Sequence, residues 1–335
     1  HLEHRRQRQM CIRDSKHTAH LRYPNHKSRL IMSSASPMIH GWINLDKPVG
    51  ISSAKAVAII RKHLNCSKIG HGGTLDPLAS GVLPIALGEA TKTVSYVMDS
   101  AKTYEFTHVW GNETSTDDSE GSPTRVSDKR PTREEINRCL NEFIGVIKQA
   151  PPIYSAVKVN GKRAYSIARS AEKKGEDSQL TLEPREVIIH DLVLTSLNQN
   201  EASFTVFCGK GTYIRSLGRD LARRLGTAGH ISALRRLSVG KFDVKDSISL
   251  DFLTSLRDSA CAYKNVISLL TALDDIPALS VTPEDAVRIR MGQRFPYYQE
   301  GAIKDQVCVA ICEGEAVALI TLDLGVIHPV RVFNL

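Results

Sequence analysis

The stretch Gly70-His71-Gly72-Gly73-Thr74-Leu75-Asp76-Pro77-Leu78-Ala79-Ser80-Gly81-Val82-Leu83-Pro84 sets one carboxylate, Asp76, in apolar company and surrounds it with glycines and prolines. Pro77 biases Asp76 toward extended backbone, which exposes its side chain at a turn. Spacing alone leaves three bland readings open, and they are the commoner ones: an Asx turn, a helix cap or a solvated loop acid. No second acid lies at short spacing, so a hydrolase built on paired carboxylates has little support. The G-x-x-x-x-G-K-[ST] phosphate loop is also missing, because the stretch continues Gly81-Val82 and not Gly-Lys-Ser. The chemistry left open is that of one carboxylate.

The elements that would position it follow from pattern. Trp42-Ile43-Asn44-Leu45 reads as a short strand, ended by the turn Asp46-Lys47-Pro48-Val49-Gly50. Ser52 or Ser53 caps a helix with the apolar stripe Val57, Ile60 and Leu64. Tyr104 to Trp110 alternates like a strand, and an acidic, Ser/Thr-rich loop runs from Asn112 to Gly121. Thr132 and Glu135 have the spacing of a capping box for a helix with stripe Ile136, Leu140, Phe143 and Ile144. Residues 151–185 are polar and show no clear core face, the mark of a functional loop. Strands follow at Glu186–Leu194 and Ala202–Cys208, then a helix from Tyr213 to Leu225 stopped by Gly226. Residues 251–277 read as a linker, and 278–335 as a small β-rich module with alternating strands at Val307–Ile311 and Ala316–Leu322. Helices and antiparallel-looking strands are interspersed without a βαβ rhythm, so the main domain is α+β.

Composition narrows the setting. The net charge of +8 suggests nucleic acid, but residues 1–37 hold eight Lys/Arg against Glu3 and Asp14, leaving only +2 for the rest. Any basic footprint must therefore be local. Residues 1–37 show no helical or strand periodicity and no secretory apolar stretch, and Arg8 to Ser15 resembles a translated sequencing adapter. We expect a non-native or disordered leader with the start at Met32 or Met38; the functional alternative is a basic RNA-binding arm. The seven cysteines are scattered and form no C-x-x-C pair, which argues for a reducing compartment and against a zinc site. No apolar run approaches the ~18 residues of a membrane span. The expected location is cytoplasmic.

Gly70 to Pro84, followed by Leu87-Gly88-Glu89-Ala90-Thr91-Lys92, resembles the signature block of TruB-type tRNA pseudouridine synthases. Asn44 to Ser53 is similar to that family's first block, and Lys102-Thr103-Tyr104-Glu105 to its tyrosine-bearing strand. Pro151 to Lys158, with Gly161, Arg163, Tyr165 and Ala168-Arg169, resembles the RNA-gripping loop. Gly209 to Leu217 and His230 to Leu237 resemble the last blocks. The blocks keep the family's order over roughly residues 39–250.

The resemblance implies a pseudouridine-synthase fold, a largely antiparallel mixed sheet flanked by helices, over residues 38–250, with an RNA clamp at 151–185. It implies a PUA-like RNA-binding domain at 278–335. It further implies isomerisation of the uridine at position 55 in the T-arm loop of tRNA, with neither cofactor nor metal. Asp76 would be the catalytic carboxylate, acting at C1′ of the ribose or assisting a glycal intermediate. Arg215 would be its cationic partner and Tyr104 the active-site tyrosine. Tyr213 and Leu234 would line the pocket, Lys47 and Pro48 support the loop, and Lys92 contact phosphate. His71 would fill the gap left by the flipped base. The partner would be tRNA through its T-arm stem-loop, with no membrane and no obligate protein partner, and the chain a monomer. Two other readings stay open: a tRNA-binding folding factor with secondary catalysis, and a guide-RNA-dependent synthase of the dyskerin type.

Overall fold

A computed structural model describes residues 39–174, 180–256, 261, 263–297 and 306–335. The expected leader, 1–37, and residues 175–179 of the expected clamp lie outside the described residues.

The centre is a ten-stranded mixed sheet. Across it the strands run Ile248–Ser249, Gly41–Lys47, Ala79–Leu87, Gly229–Val239, Lys102–Trp110, Glu201–Cys208, Arg185–Leu197 and Gly145–Gln149. Phe242–Asp243 and Ile69–His71 pair at its side, onto Gly229–Val239 and Ala79–Leu87. Two joints are parallel, Gly41–Lys47 with Ile248–Ser249 and Ala79–Leu87 with Gly229–Val239; the others are antiparallel. The expected α+β class is what the chain adopts.

Alternation explains the layers. In Gly41–Lys47, Ile43 and Leu45 point to one face and Trp42 to the other; in Ala79–Leu87, Leu83, Ile85 and Leu87 oppose Val82 and Ala86. The first face is covered by helices Ser53–Leu64, Arg133–Leu140, Ile214–Arg224 and Leu250–Ser255, through Ala56, Ile60, Ile136, Leu140, Leu217, Leu221 and Leu253. Thr132 and Glu135 form the expected capping box, at 3.2 and 2.8 Å. The helix they start ends at Leu140, so Phe143 lies in a 3-10 turn and Ile144 is exposed. Gly145 takes φ +100° there and turns the chain into the edge strand.

The second face is covered from further along the chain. Val309, Ala316, Leu319 and Phe333 of the C-terminal module join Trp42, Val82, Val97 and Phe242 in one buried cluster. The module is a five-stranded sheet with its own core around Val317, Ile320 and Ile327. Of the 251–277 stretch, expected as a linker, residues 257–260 and 262 lie outside the described residues; among the others Leu253, Leu269 and Leu273 are buried, and Trp42 and Ile267 exchange backbone hydrogen bonds of 2.8 and 2.7 Å. Residues 151–174 hold a short hairpin and the helix Ala164–Glu172, which buries only Ala164 and Ala168.

Candidate active site

Asp76 lies in the loop between strands Ile69–His71 and Ala79–Leu87. Ser52 takes the N-cap of the Ser53–Leu64 helix, which frees the buried Ser53 hydroxyl for the loop. Ser53 Oγ accepts from Leu75 N–H at 2.8 Å and donates to Leu75 C=O at 3.0 Å. Pro77 C=O accepts from Gly50 N–H at 2.8 Å, and Asp76 C=O from Ala79 N–H at 3.1 Å. The backbone on both sides of Asp76 is thus tied down, while its side chain stays 38% exposed.

Arg215 meets it. Tyr213 is the N-cap residue of the Ile214–Arg224 helix, so Arg215 sits in the first turn, where the helix dipole also favours an anion. Arg215 Nε binds Asp76 Oδ2 at 2.9 Å, and the guanidinium itself is buried. Its other nitrogens are engaged: Nη1 donates to Thr116 C=O at 2.9 Å and pairs with Asp118 Oδ2 at 3.4 Å, and Nη2 donates to Tyr154 C=O at 3.0 Å. A planar guanidinium held at three points presents its fourth in a fixed direction. Asp118 is buried and inaccessible, and Asp76 is the acid left facing outward.

Around this pair stand further charges and rings. Lys47 is buried at the end of its strand and donates to Pro48 C=O at 2.8 Å and Ile51 C=O at 2.7 Å, fixing the turn in which Pro48 is exposed. Burial pushes its ammonium down to about 8, against the pull of the Asp76 charge. Tyr104 is buried between strands Gly229–Val239 and Glu201–Cys208, opposite Arg236 and Val206. Burial raises its hydroxyl, while Arg236 acts in the opposite sense. Tyr213 is half-buried, within electrostatic reach of Asp76, with its N–H on Gln149 Oε1 at 2.8 Å. Leu234 is buried and in register with Ala79, three residues beyond Asp76. His71 ends the strand from which the Asp76 loop departs; burial and the Arg236 charge keep its imidazole neutral at pH 7.

Lys92 stands apart. Its ammonium pairs with the buried Glu89 and donates to Val332 C=O at 2.8 Å, at the seam with the C-terminal module. Glu89 also accepts from Asn334 N–H at 2.9 Å.

Three residues of the site escaped the sequence reading in these roles. Asp118 lies in the acidic loop, about a hundred positions from Arg215, and nothing in its spacing marks it. Ser53 read as a cap and serves as a loop anchor. Arg236 is fully buried, with Nε on Val82 C=O at 2.7 Å and Nη2 on Gly73 C=O at 3.0 Å. An alternating strand pattern would have placed an arginine outside.

The fold and the site present one accessible carboxylate, Asp76, held by the buried Arg215. Residues 61–214 match the TruB family pseudouridylate synthase (N terminal domain), and residues 215–275 the tRNA pseudouridylate synthase B C-terminal domain. The chain is 50% identical over 305 residues to the tRNA pseudouridine synthase B of Bradyrhizobium diazoefficiens, covering 89% of this chain and 86% of that protein. It is 48% identical to the Rhodopseudomonas palustris protein of the same name, with 89% and 81% covered. Among solved structures, that of a Cbf5-Nop10-Gar1 complex is 25% identical with a TM-score of 0.68, covering 88% of this chain and 85% of that one. The chain belongs to the TruB family of pseudouridylate synthases.

Proposed function

We propose that this chain isomerises uridine to pseudouridine in tRNA, at position 55 in the T-arm loop, with Asp76 as the catalytic carboxylate. The observation that carries this reading is the Asp76–Arg215 ion pair, in which the arginine is buried and the acid open to a substrate. The N1–C1′ bond of the uridine breaks, the base turns over, and a C5–C1′ bond forms; the C5 proton leaves and N1 ends protonated. Atoms and electrons balance within the nucleotide, so the reaction calls for no oxidant, reductant or group donor. Asp76 acts at C1′, or assists a glycal, with its carboxylate held by Arg215 Nε at 2.9 Å.

The reacting uridine has to leave its stack, at a cost of a few kcal/mol. His71, neutral and at the mouth of the Asp76 loop, fills the space it vacates. Tyr104 stacks on the flipped base, with Tyr213 and Leu234 lining the pocket. Lys47 and Pro48 hold the loop in shape. Lys158, Lys162, Arg163, Arg169, Lys173 and Lys174 are exposed on the hairpin and helix of the clamp, suited to phosphates and not to base edges. The β-rich module from residue 278 is a PUA-like RNA-binding domain that extends the footprint along the tRNA. The protein acts in the cytoplasm as a monomer without an obligate protein partner.

The relatives at 48–50% identity carry the name tRNA pseudouridine synthase B, which favours a stand-alone tRNA enzyme over a guide-dependent one. The test is purified protein with an unmodified tRNA transcript and no guide RNA, read by pseudouridine mapping. One converted uridine in the T-arm loop is expected. Conversion that requires added guide RNA or a protein partner, or that occurs elsewhere in the tRNA, would overturn the reading.

A further inference from the structure

Behind Arg215 the same face of the helix carries two more arginines, one and two turns on. Arg215, Arg219 and Arg223 are spaced by four and share one face. Each meets an acid of the segment 113–118, taken in reverse order: Asp118 at 3.4 Å, Asp117 at 2.9 Å, and Glu113, which also receives Arg125. The first two rungs do more than pair charges. Arg215 joins Thr116 C=O to Tyr154 C=O, at 2.9 and 3.0 Å. Arg219 joins the Asp117 carboxylate to Ala150 C=O, at 2.9 and 3.0 Å. Both arginines therefore bridge the same two segments, the acidic loop and residues 150–154, and only the first reaches Asp76.

Asp117 is built into this arrangement from both sides. Its backbone has φ +61°, a left-handed conformation that Asp and Asn tolerate better than most residues. Its C=O accepts from Ile231 N–H at 3.1 Å, which fixes the loop to the Gly229–Val239 strand, while its side chain fixes it to the helix.

We infer that Arg219 is a positioning residue: by holding Asp117 and Ala150 together it sets the spacing at which Arg215 can keep Thr116, Tyr154 and Asp76 at once. The inference rests on the reading of Asp76 and Arg215 given above. Burial supports it with a pH signature. It pushes the Asp117 carboxyl up to about 6, helped by Glu113 on its own segment and opposed by Arg219, Arg215 and Arg223 on the facing helix. Below that pH the carboxyl is neutral and the rung weakens. Stability moves the other way: a folded-state value above the ordinary 3.8 means that protonation favours the fold, and this contribution is lost as pH rises through about 6. Asp117 protonation should therefore slow the reaction without unfolding the protein, an outcome a purely structural residue does not produce.

The test uses the full chain, an unmodified tRNA transcript, single-turnover rates from pH 5 to 8, tRNA affinity and Tm. Asp117→Asn mimics the protonated acid and suits the left-handed backbone. Its rate at pH 7.5 should fall roughly 10- to 100-fold, the scale of a ~1 Å misplacement. It should lack the wild-type loss of rate below about pH 6, with tRNA affinity unchanged and Tm at pH 7.5 equal or higher. Arg219→Lys retains a cation but cannot span both acceptors, and should give an intermediate rate; it decides the matter if Asp117→Asn fails to fold. Folded variants with the wild-type rate and acid limb, or a loss confined to tRNA affinity, would overturn the inference alone. A wild-type protein that forms no pseudouridine would overturn the parent reading and this one with it.

Discussion

At the scale of the residue, the site turns on how one guanidinium is shared. Arg215 spends its Nη1 and Nη2 atoms on Thr116, Asp118 and Tyr154 and aims Nε at Asp76. Arg215→Lys keeps the charge and loses the fork. Turnover should drop about 100-fold or more, because Asp76 loses its aligned partner. Unfolding titrations should show a loss of ~1–3 kcal/mol, from acceptors left unpaired in a buried place. A variant with normal turnover would show that the geometry of the pair does not matter. Asp76 itself was legible in the sequence as an oddity, and its role came from resemblance to a family. The buried acid that completes the arginine's shell was not legible. Asp118 sits in a loop whose acids look like a solvated face, and only the fold brings Arg215 to it.

At the scale of the element, strand periodicity recovered Trp42–Leu45, Tyr104–Trp110 and Ala202–Cys208 nearly in place. The Ala79–Leu87 strand was hidden. It is packed on both faces, so it runs apolar without alternation, and Gly81 and Pro84 disguise it as a loop. Gly81 is there for a reason: at φ +101° it lies so close to the Arg236 backbone that a Cβ would overlap it. The strand matters because it anchors the far end of the Asp76 loop, while Ser53 anchors the near end. Ser53→Ala leaves both polar atoms of Leu75 without their partner in a buried setting. We expect a stability loss of ~1–3 kcal/mol. The accompanying drop in turnover should exceed any drop in tRNA affinity, since the loop and not the clamp is loosened. An equal loss in rate and affinity would place Ser53 in RNA binding instead.

At the scale of the whole molecule, the sequence suggested a catalytic domain, a linker and a detachable module. The described residues form a more continuous body, because the second face of the main sheet is covered by the C-terminal module. No local pattern announces such a joint; Val309 and Leu319 read as ordinary strand residues of a small domain. Phe333 is fully buried in the shared cluster, beside the Lys92–Val332 and Glu89–Asn334 bonds. Phe333→Ala should cost ~3–5 kcal/mol, read by denaturant unfolding. A cost near zero would mean that the module contributes nothing to the stability of the catalytic part. Every proposed catalytic residue nevertheless lies on the main sheet or the elements around it, and Asp76 is where they converge. Asp76→Asn is the most direct measurement. Asn keeps the size of the side chain and its ability to make an Asx turn, and removes the charge and the reacting oxygen pair. With host enzyme excluded and an unmodified tRNA transcript as substrate, pseudouridine formation should fall to background while tRNA binding persists. Near-normal turnover by the Asp76→Asn protein would contradict the account.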